Sequence, residues 1–236
     1  MTLISKIIEK AVAEQLTDHV NTNHLDVMYQ SAFKVLHSTE TALLKVQNDI
    51  LRAVDDNKSV ILLLLDLSSA FDTVDHSILL CRLSHRFGIK GNVLASFDSY
   101  LTSRKQFVHI EDCQSSQRCL AYGVPQGSVL GPLLYSLYTS PIADIINLHN
   151  LQYHLYADDS QLYISFKTDC FADLTQAKSS VELCVKYNKH ARTDKVVRHI
   201  LHKYHNMYIP KLTKAYCNTK KTPHYATHQQ TPTLKN

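Results

Sequence analysis

The spacing of hydrophobic positions changes several times along the chain, and each change marks an element. Between residues 3 and 20, Ile4, Ile7, Ile8, Val12, Leu16 and Val20 recur as one stripe of a 3.6-residue helix. A second helix is predicted to start with Ser38 or Thr39 as N-cap and to carry Leu43, Val46, Ile50 and Val54 on one face. The polar DDNK at 55–58 ends it. The run Val60 to Leu65 has no polar alternation, which predicts a strand covered on both faces, and it stops abruptly at Asp66.

Asp75 is suited to cap the next helix, with Ile78, Leu79, Leu83 and Phe87 inward and Gly88 just past its end. Val93, Leu94, Phe97, Tyr100 and Leu101 form another helical stripe, and QFVHI and RCLAY, on either side of EDCQSSQ, predict a strand pair. Helical spacing returns between Val129 and Leu148, where Pro132 fits a first turn and Pro141 must end or kink the helix. LQYHLYA and QLYISF predict a hairpin. Helices and strands follow one another without a regular β-α-β repeat, so the expected fold class is α+β.

Composition narrows the choices. With 236 residues, 44% hydrophobic and 19% charged, the chain can bury one sizeable core or two small ones, which excludes disorder throughout. VILLLL is far shorter than the roughly 20 apolar residues of a membrane span. Lys6, Glu9, Lys10 and Glu14 interrupt the N-terminal apolar stretch, which argues against an export signal; nuclear and cytoplasmic residence both fit. The six cysteines form no C-x-x-C pair, so free thiols are expected. Charge is uneven: residues 1–185 hold 14 Lys and Arg against 20 Asp and Glu, whereas 186–236 hold 11 against 1. That basic segment suits a phosphate backbone, or a solvated tail without a core; its His199, His202 and His205 lack companion cysteines for a zinc site.

The candidate chemistry lies in carboxylates and glycines. Asp158 and Asp159 stand side by side between two strand-like runs, where like charges repel and strand interiors disfavour Asp. Adjacent strand residues point to opposite faces, so the pair can address one site only from a hairpin tip. Asp66, ending a buried strand, offers a third carboxylate, and hard divalent ions such as Mg²⁺ take such oxygen ligands. Asp pairs in turns also bond local backbone amides, so spacing alone does not decide. Three of the five glycines fall at intervals of four in GVPQGSVLG, at 123, 127 and 131, which suits positive φ, close backbone approach to a ligand, or a plain turn into a helix.

Taken in order, LLLLDLSSAFDTVDHSILL (62–80), GVPQGSVLGPLLYSLYTSPI (123–142) and HLYADDSQLYIS (154–165) resemble the successive palm motifs of reverse transcriptases from LINE-type non-LTR retrotransposons. EKAVAEQLTDHVNTN and QSAFKVLHSTETALLKV are similar to the fingers of that family, so the resemblance covers roughly residues 3–166. It implies a polymerase palm at 59–170 with partial fingers at 1–58, the thumb missing, and a divergent, poorly ordered basic tail at 171–236, as in a truncated copy. It also implies RNA-directed DNA synthesis with two Mg²⁺ ions, or Mn²⁺ in their place, acting on dNTP, RNA template and DNA primer. No membrane and no obligate protein partner follow from it. Asp66, Asp158 and Asp159 match the family's catalytic, metal-binding aspartates, with the carbonyl of Leu67 as a further metal ligand. Phe71 falls at the steric gate under the incoming sugar, Gln126 and Gly127 in the P-Q-G element bordering nucleotide and template, and Arg104 and Gln106 in a template-contacting stretch. Lys34 stands where the family has an Arg reaching the triphosphate, in KVLHST rather than R-P-G-H-S-T, and loses that residue's bidentate fork. Asp72 and Asp75 are expected to serve local structure. The competing expectation is a non-catalytic nucleic-acid-binding remnant.

Overall fold

The computed structural model describes residues 3–65, 70–102, 104–167 and 169–186. The helices are α1 (Leu3–Thr22), α2 (Thr39–Asp55), α3 (His76–His85), α4 (Gly91–Leu101), α5 (Leu130–Thr139), α6 (Pro141–Leu148) and α7 (Phe171–Lys186). The main sheet has three antiparallel strands, β1 (Lys58–Leu65), β6 (Gln152–Tyr156) and β7 (Asp159–Lys167), in the order β1-β7-β6. Four two-residue strands, β2 (Lys105–Gln106), β3 (His109–Ile110), β4 (Cys113–Gln114) and β5 (Arg118–Cys119), pair as β2 with β5 and β3 with β4. The α+β class therefore holds, and the predicted strand pair resolves into two small ladders.

Local chemistry explains where the elements start and stop. Ser38 caps α2 in a reciprocal box with Thr41, and the Asp75 carboxylate accepts from the Ile78 amide at the start of α3. Asp75 thus has the local role expected of it. Pro141 divides the predicted long helix into α5 and α6, because proline cannot donate the amide a continuous helix needs.

Register gives each sheet face its own partner. Tyr153 pairs with Leu162 and Leu63 with Leu162, so Ile61, Leu63, Leu65, Tyr153, Leu155, Leu162 and Ile164 share the face that joins the core of Leu79, Leu83, Leu134 and Ile146. On the opposite face Tyr163 donates its hydroxyl to Asp49 of α2, which also binds Lys45. The free edge of β6 is covered by the segment around Gln30: the Ser31 amide donates to Leu155 O at 3.0 Å and the Leu155 amide to Tyr29 O at 2.8 Å.

Four expectations are corrected. The α2 face that packs is Ala42, Val46 and Ala53, while Leu43 and Val54 are exposed; the small alanines fit where Asp49 reaches the sheet. Coverage of β1 is incomplete: α2 packs on the face opposite the core, but Leu64 near the strand end is 64% exposed. The predicted stripe of α1 packs only in its second half: Leu16 and Val20 are buried, whereas Ile4, Ile7 and Ile8 extend past the core into solvent. Residues 171–186, assigned by sequence to the basic tail, form α7, which packs on β7 through Ala177, Val181 and Cys184. The remainder of that tail, 187–236 with His199, His202 and His205, lies outside the described residues.

Between α2 and the sheet, buried His154 shares a 2.8 Å hydrogen bond with the Ser31 hydroxyl. Burial lowers its pKa below the ordinary 6.5, with the positive charges of Lys45 and His37 adding to the effect and Asp49 opposing it. The unfolded chain therefore takes up this proton first, so the His154 contribution is complete above pH 6.5 and is lost as pH falls from there through the lower pKa of the folded state. Urea denaturation should show a lower midpoint at pH 5 than at pH 7.5, and His154→Gln should flatten that dependence. Part of the slope should persist, because burial also lowers the pKa of His149. An unchanged slope in the variant would exclude His154 as a source.

Candidate nucleotide and nucleic-acid site

The β6–β7 hairpin brings the paired aspartates to its tip. Tyr156 pairs with Asp159, leaving Ala157 and Asp158 as a two-residue connection, and Ala157 takes a left-handed φ of 55° to close it. Asp158 is half-buried and Asp159 exposed, so both keep access to water. At this tip strand alternation no longer forces them apart, as their sequence setting requires. β1 ends beside it: Leu65 pairs with Ser160, the residue after Asp159. Asp66 and Leu67 lie outside the described residues, and among the described residues no three metal-ligating side chains come together.

Downstream of β1, a 3₁₀ turn at Ala70–Thr73 is locked to the glycine segment. The Val124 amide donates to Phe71 O at 3.0 Å and the Gly123 amide to Val74 O at 2.8 Å, while Tyr122 bridges to Asp75. The Phe71 ring is half-buried against Tyr135 of α5, with centroids 4.9 Å apart. The Tyr138 hydroxyl accepts from the Asp75 amide at 3.1 Å. Four residues separate Leu65 from Ala70, so chain geometry keeps this turn within roughly 18 Å of the end of β1.

Gly123 has a φ of 87°, and a Cβ there would lie 3.3 Å from both Cα and O of Asp72. Its glycine is therefore required twice, by backbone and by space. Gly127 has a φ of 72° with open space around it. Between these turns and the small ladders lies a cleft of about 470 Å³, lined by Asp72, Arg104, Gln106, Tyr122, Gly123 and Gln126, among others. Arg104, Gln106 and Gln126, predicted separately, thus meet on one surface. Tyr122 and Asp72 were not predicted to line it; Tyr122 is 57% exposed.

Lys34 is not among the residues lining that cleft. In the α1–α2 connection its ammonium binds the Asp26 carboxylate at 2.8 Å and Val27 O at 3.2 Å. The hydrogen bond from Lys34 is the main cause holding the Asp26 pKa below the usual carboxylate value. The predicted residues therefore fall into a hairpin-tip group, a cleft group and a lysine in a separate ion pair.

The chain belongs to a polymerase family. The family model described as "Reverse transcriptase (RNA-dependent DNA polymerase)" matches residues 1–225, so the chain is a member of that family. Over 170 residues, 70% of this chain, it is 32% identical to "Probable RNA-directed DNA polymerase from transposon BS" of Drosophila melanogaster, covering 18% of that protein. It is 30% identical over 176 residues to "RNA-directed DNA polymerase from mobile element jockey" of the same organism, covering 75% of this chain and 18% of the relative. The chain thus spans less than a fifth of the length of these relatives. Among solved structures, an apo telomerase from Candida Tropicalis, truncated from its C-terminal domain, superposes with a TM-score of 0.53 at 15% identity, over 73% of this chain and 36% of that one. The likeness extends to the fold. The resemblance to LINE-type non-LTR reverse transcriptases is borne out by these relatives.

The two glycines separate backbone strain from crowding. Gly127→Ala should cost about 1–2 kcal/mol, the price of left-handed φ at a residue with Cβ. Gly123→Ala should cost roughly twice that, because its Cβ also meets the Asp72 backbone. Urea denaturation of the two variants measures the difference; equal losses would show that the 70–73 turn moves aside freely.

Proposed function

We propose that this chain carries the palm and part of the fingers of an RNA-directed DNA polymerase, extending a primer 3′-OH with dNTPs opposite an RNA template. The observation that carries the proposal is the placement of Asp158 and Asp159 at one hairpin tip, beside the strand end that leads directly into Asp66. Membership of the reverse transcriptase family supports it. No helix among the described residues is long and apolar enough to cross a membrane.

Reverse transcriptases use divalent metal ions, and the donors at the tip fit hard cations such as Mg²⁺ or Mn²⁺: carboxylate oxygens on a solvent-accessible short turn. Asp158 and Asp159, with Asp66 and the Leu67 carbonyl, would hold two such ions, which neutralise charge on the attacking and leaving oxygens. The remaining work is positioning. Gln126 and Gly127 border the base pair being formed, and Arg104 and Gln106 on the same cleft take the template strand. The Phe71 ring, braced by Tyr135, excludes a ribose 2′-OH by occupying its space. Lys34 serves the triphosphate only by exchanging Asp26 for phosphate, and otherwise orders the α1–α2 connection.

Primer extension on an RNA template with Mg²⁺ should proceed with the parent chain and fall by at least about 10³-fold in Asp158→Ala, the scale expected when a principal electrostatic group is removed. Extension that survives unchanged would remove the hairpin tip from the chemistry. A parent chain that binds template in a salt-dependent manner without extending primer would establish the binding-remnant alternative.

A further inference from the structure

Glu9 is a charged residue the polymerase chemistry leaves unexplained. It lies on α1 and is 4% exposed, although α1 elsewhere turns Ile4, Ile7 and Ile8 to solvent. Its Oε2 accepts the Val129 amide at 2.7 Å and the Leu130 amide at 3.2 Å. These open α5, whose N-cap residue Val129 offers no side-chain hydrogen bond of its own. A carboxylate from a distant helix therefore takes the Val129 and Leu130 amides, which the local Ser128 hydroxyl, bonded to the Gly131 amide, leaves unmet, in the charge-assisted form that a helix N-terminus favours.

The same group sits directly behind the nucleotide-side turn. The Ser128 amide donates to Pro125 O at 3.2 Å and the Ser128 hydroxyl accepts from the Gly131 amide at 2.9 Å, so Gln126 and Gly127 are framed by Pro125 and the Glu9-bound amides. Glu9 Oε1 and the Tyr100 hydroxyl of α4 are both buried without a hydrogen-bond partner among the described residues. They lie close enough to interact with each other, and Tyr100 also with Ser128. Leu16 and Val20 anchor α1 in the core, which gives the carboxylate a fixed base.

We propose that Glu9 is a positioning residue: from α1 it clamps the first amides of α5 and thereby holds the Gln126–Gly127 turn in the orientation that receives the incoming dNTP. The proposal rests on the polymerase function above. A purely structural cap would lower stability alone, whereas a positioning residue also changes nucleotide use.

The test uses the full chain with Glu9→Ala, Glu9→Asp, Glu9→Gln and, as a control of similar thermal destabilisation, Ile146→Ala in the core face of α6. Hydrogen exchange over residues 126–131 should accelerate by about tenfold in Glu9→Ala while α3 stays protected. The KM for dNTP should rise by about tenfold with kcat changed less than about threefold. Glu9→Gln, which keeps an acceptor oxygen at the same reach, should restore most of both, and Ile146→Ala should leave KM as in the parent. Unchanged exchange at 126–131 in Glu9→Ala, or an equal KM rise in Ile146→Ala, would overturn the proposal. If Glu9→Ala does not fold, Glu9→Asp, whose shorter side chain draws the carboxylate away from the two amides, decides: a rise in exchange confined to 126–131 supports the clamp, and parent-like exchange refutes it. A parent chain without extension counts against the polymerase function, while the exchange measurement still decides whether Glu9 holds the turn.

Discussion

Everything in the candidate site depends on β7 being the central strand of an antiparallel sheet. It pairs along its length with β1 and, over its first half, with β6. Because side chains alternate with a period of two, a slip of one residue would turn Leu162 and Ile164 away from the core and Tyr163 away from Asp49. Those opposed requirements fix the register. The same register sets Ser160 against Leu65 and closes the turn at Tyr156 and Asp159, so the position of the aspartate pair relative to the end of β1 follows from packing on both faces.

A second constraint joins that sheet to the cleft. The turn at 70–73 is held by backbone hydrogen bonds to Gly123 and Val124 and by the rings of Tyr135 and Tyr138 from α5. α5 itself belongs to the deepest part of the core, with Leu134 at 0% and Tyr135 at 2% exposure. One helix therefore carries three loads: it fills the core, braces Phe71, and begins at the turn that lines the cleft. Sites on rigid elements hold geometry better than sites on free loops, and here the loops are pinned to one buried helix.

Much of this was legible because it is written in local pattern. Ser38, Asp75 and Pro141 act within their own segments, and the hairpin flanking Asp158 announced itself by a strand-like run on either side of a polar tip. Positions governed by distant partners were harder. The face of α2 that packs is set by Asp49 reaching Tyr163, 114 residues away, which a count of apolar residues cannot register. Leu64 belongs to a wholly apolar run yet lies exposed, because strand coverage depends on neighbours rather than on its own sequence. Glu9 had a weak signal: it sits seven residues before Leu16 and eleven before Val20, on the buried stripe itself. As a charge it read as an interruption. Lys34 was placed by its motif, but Asp26, eight residues earlier, claims its ammonium.

The surface position of the hairpin tip separates folding from chemistry. Two unit charges about 4 Å apart repel by about 1 kcal/mol in water and about 4 kcal/mol at an effective dielectric of 20. Half-buried Asp158 and exposed Asp159 remain nearer the first limit, so cross-strand hydrogen bonds and apolar packing can hold the tip against that repulsion. Deeper burial would raise the repulsion by lowering the local dielectric. The fold therefore keeps the pair shallow, with Ala157 taking a left-handed turn at the tip. Cross-strand hydrogen bonds and apolar packing build the sheet that presents the pair, so a cation binds to a tip that the fold has already formed.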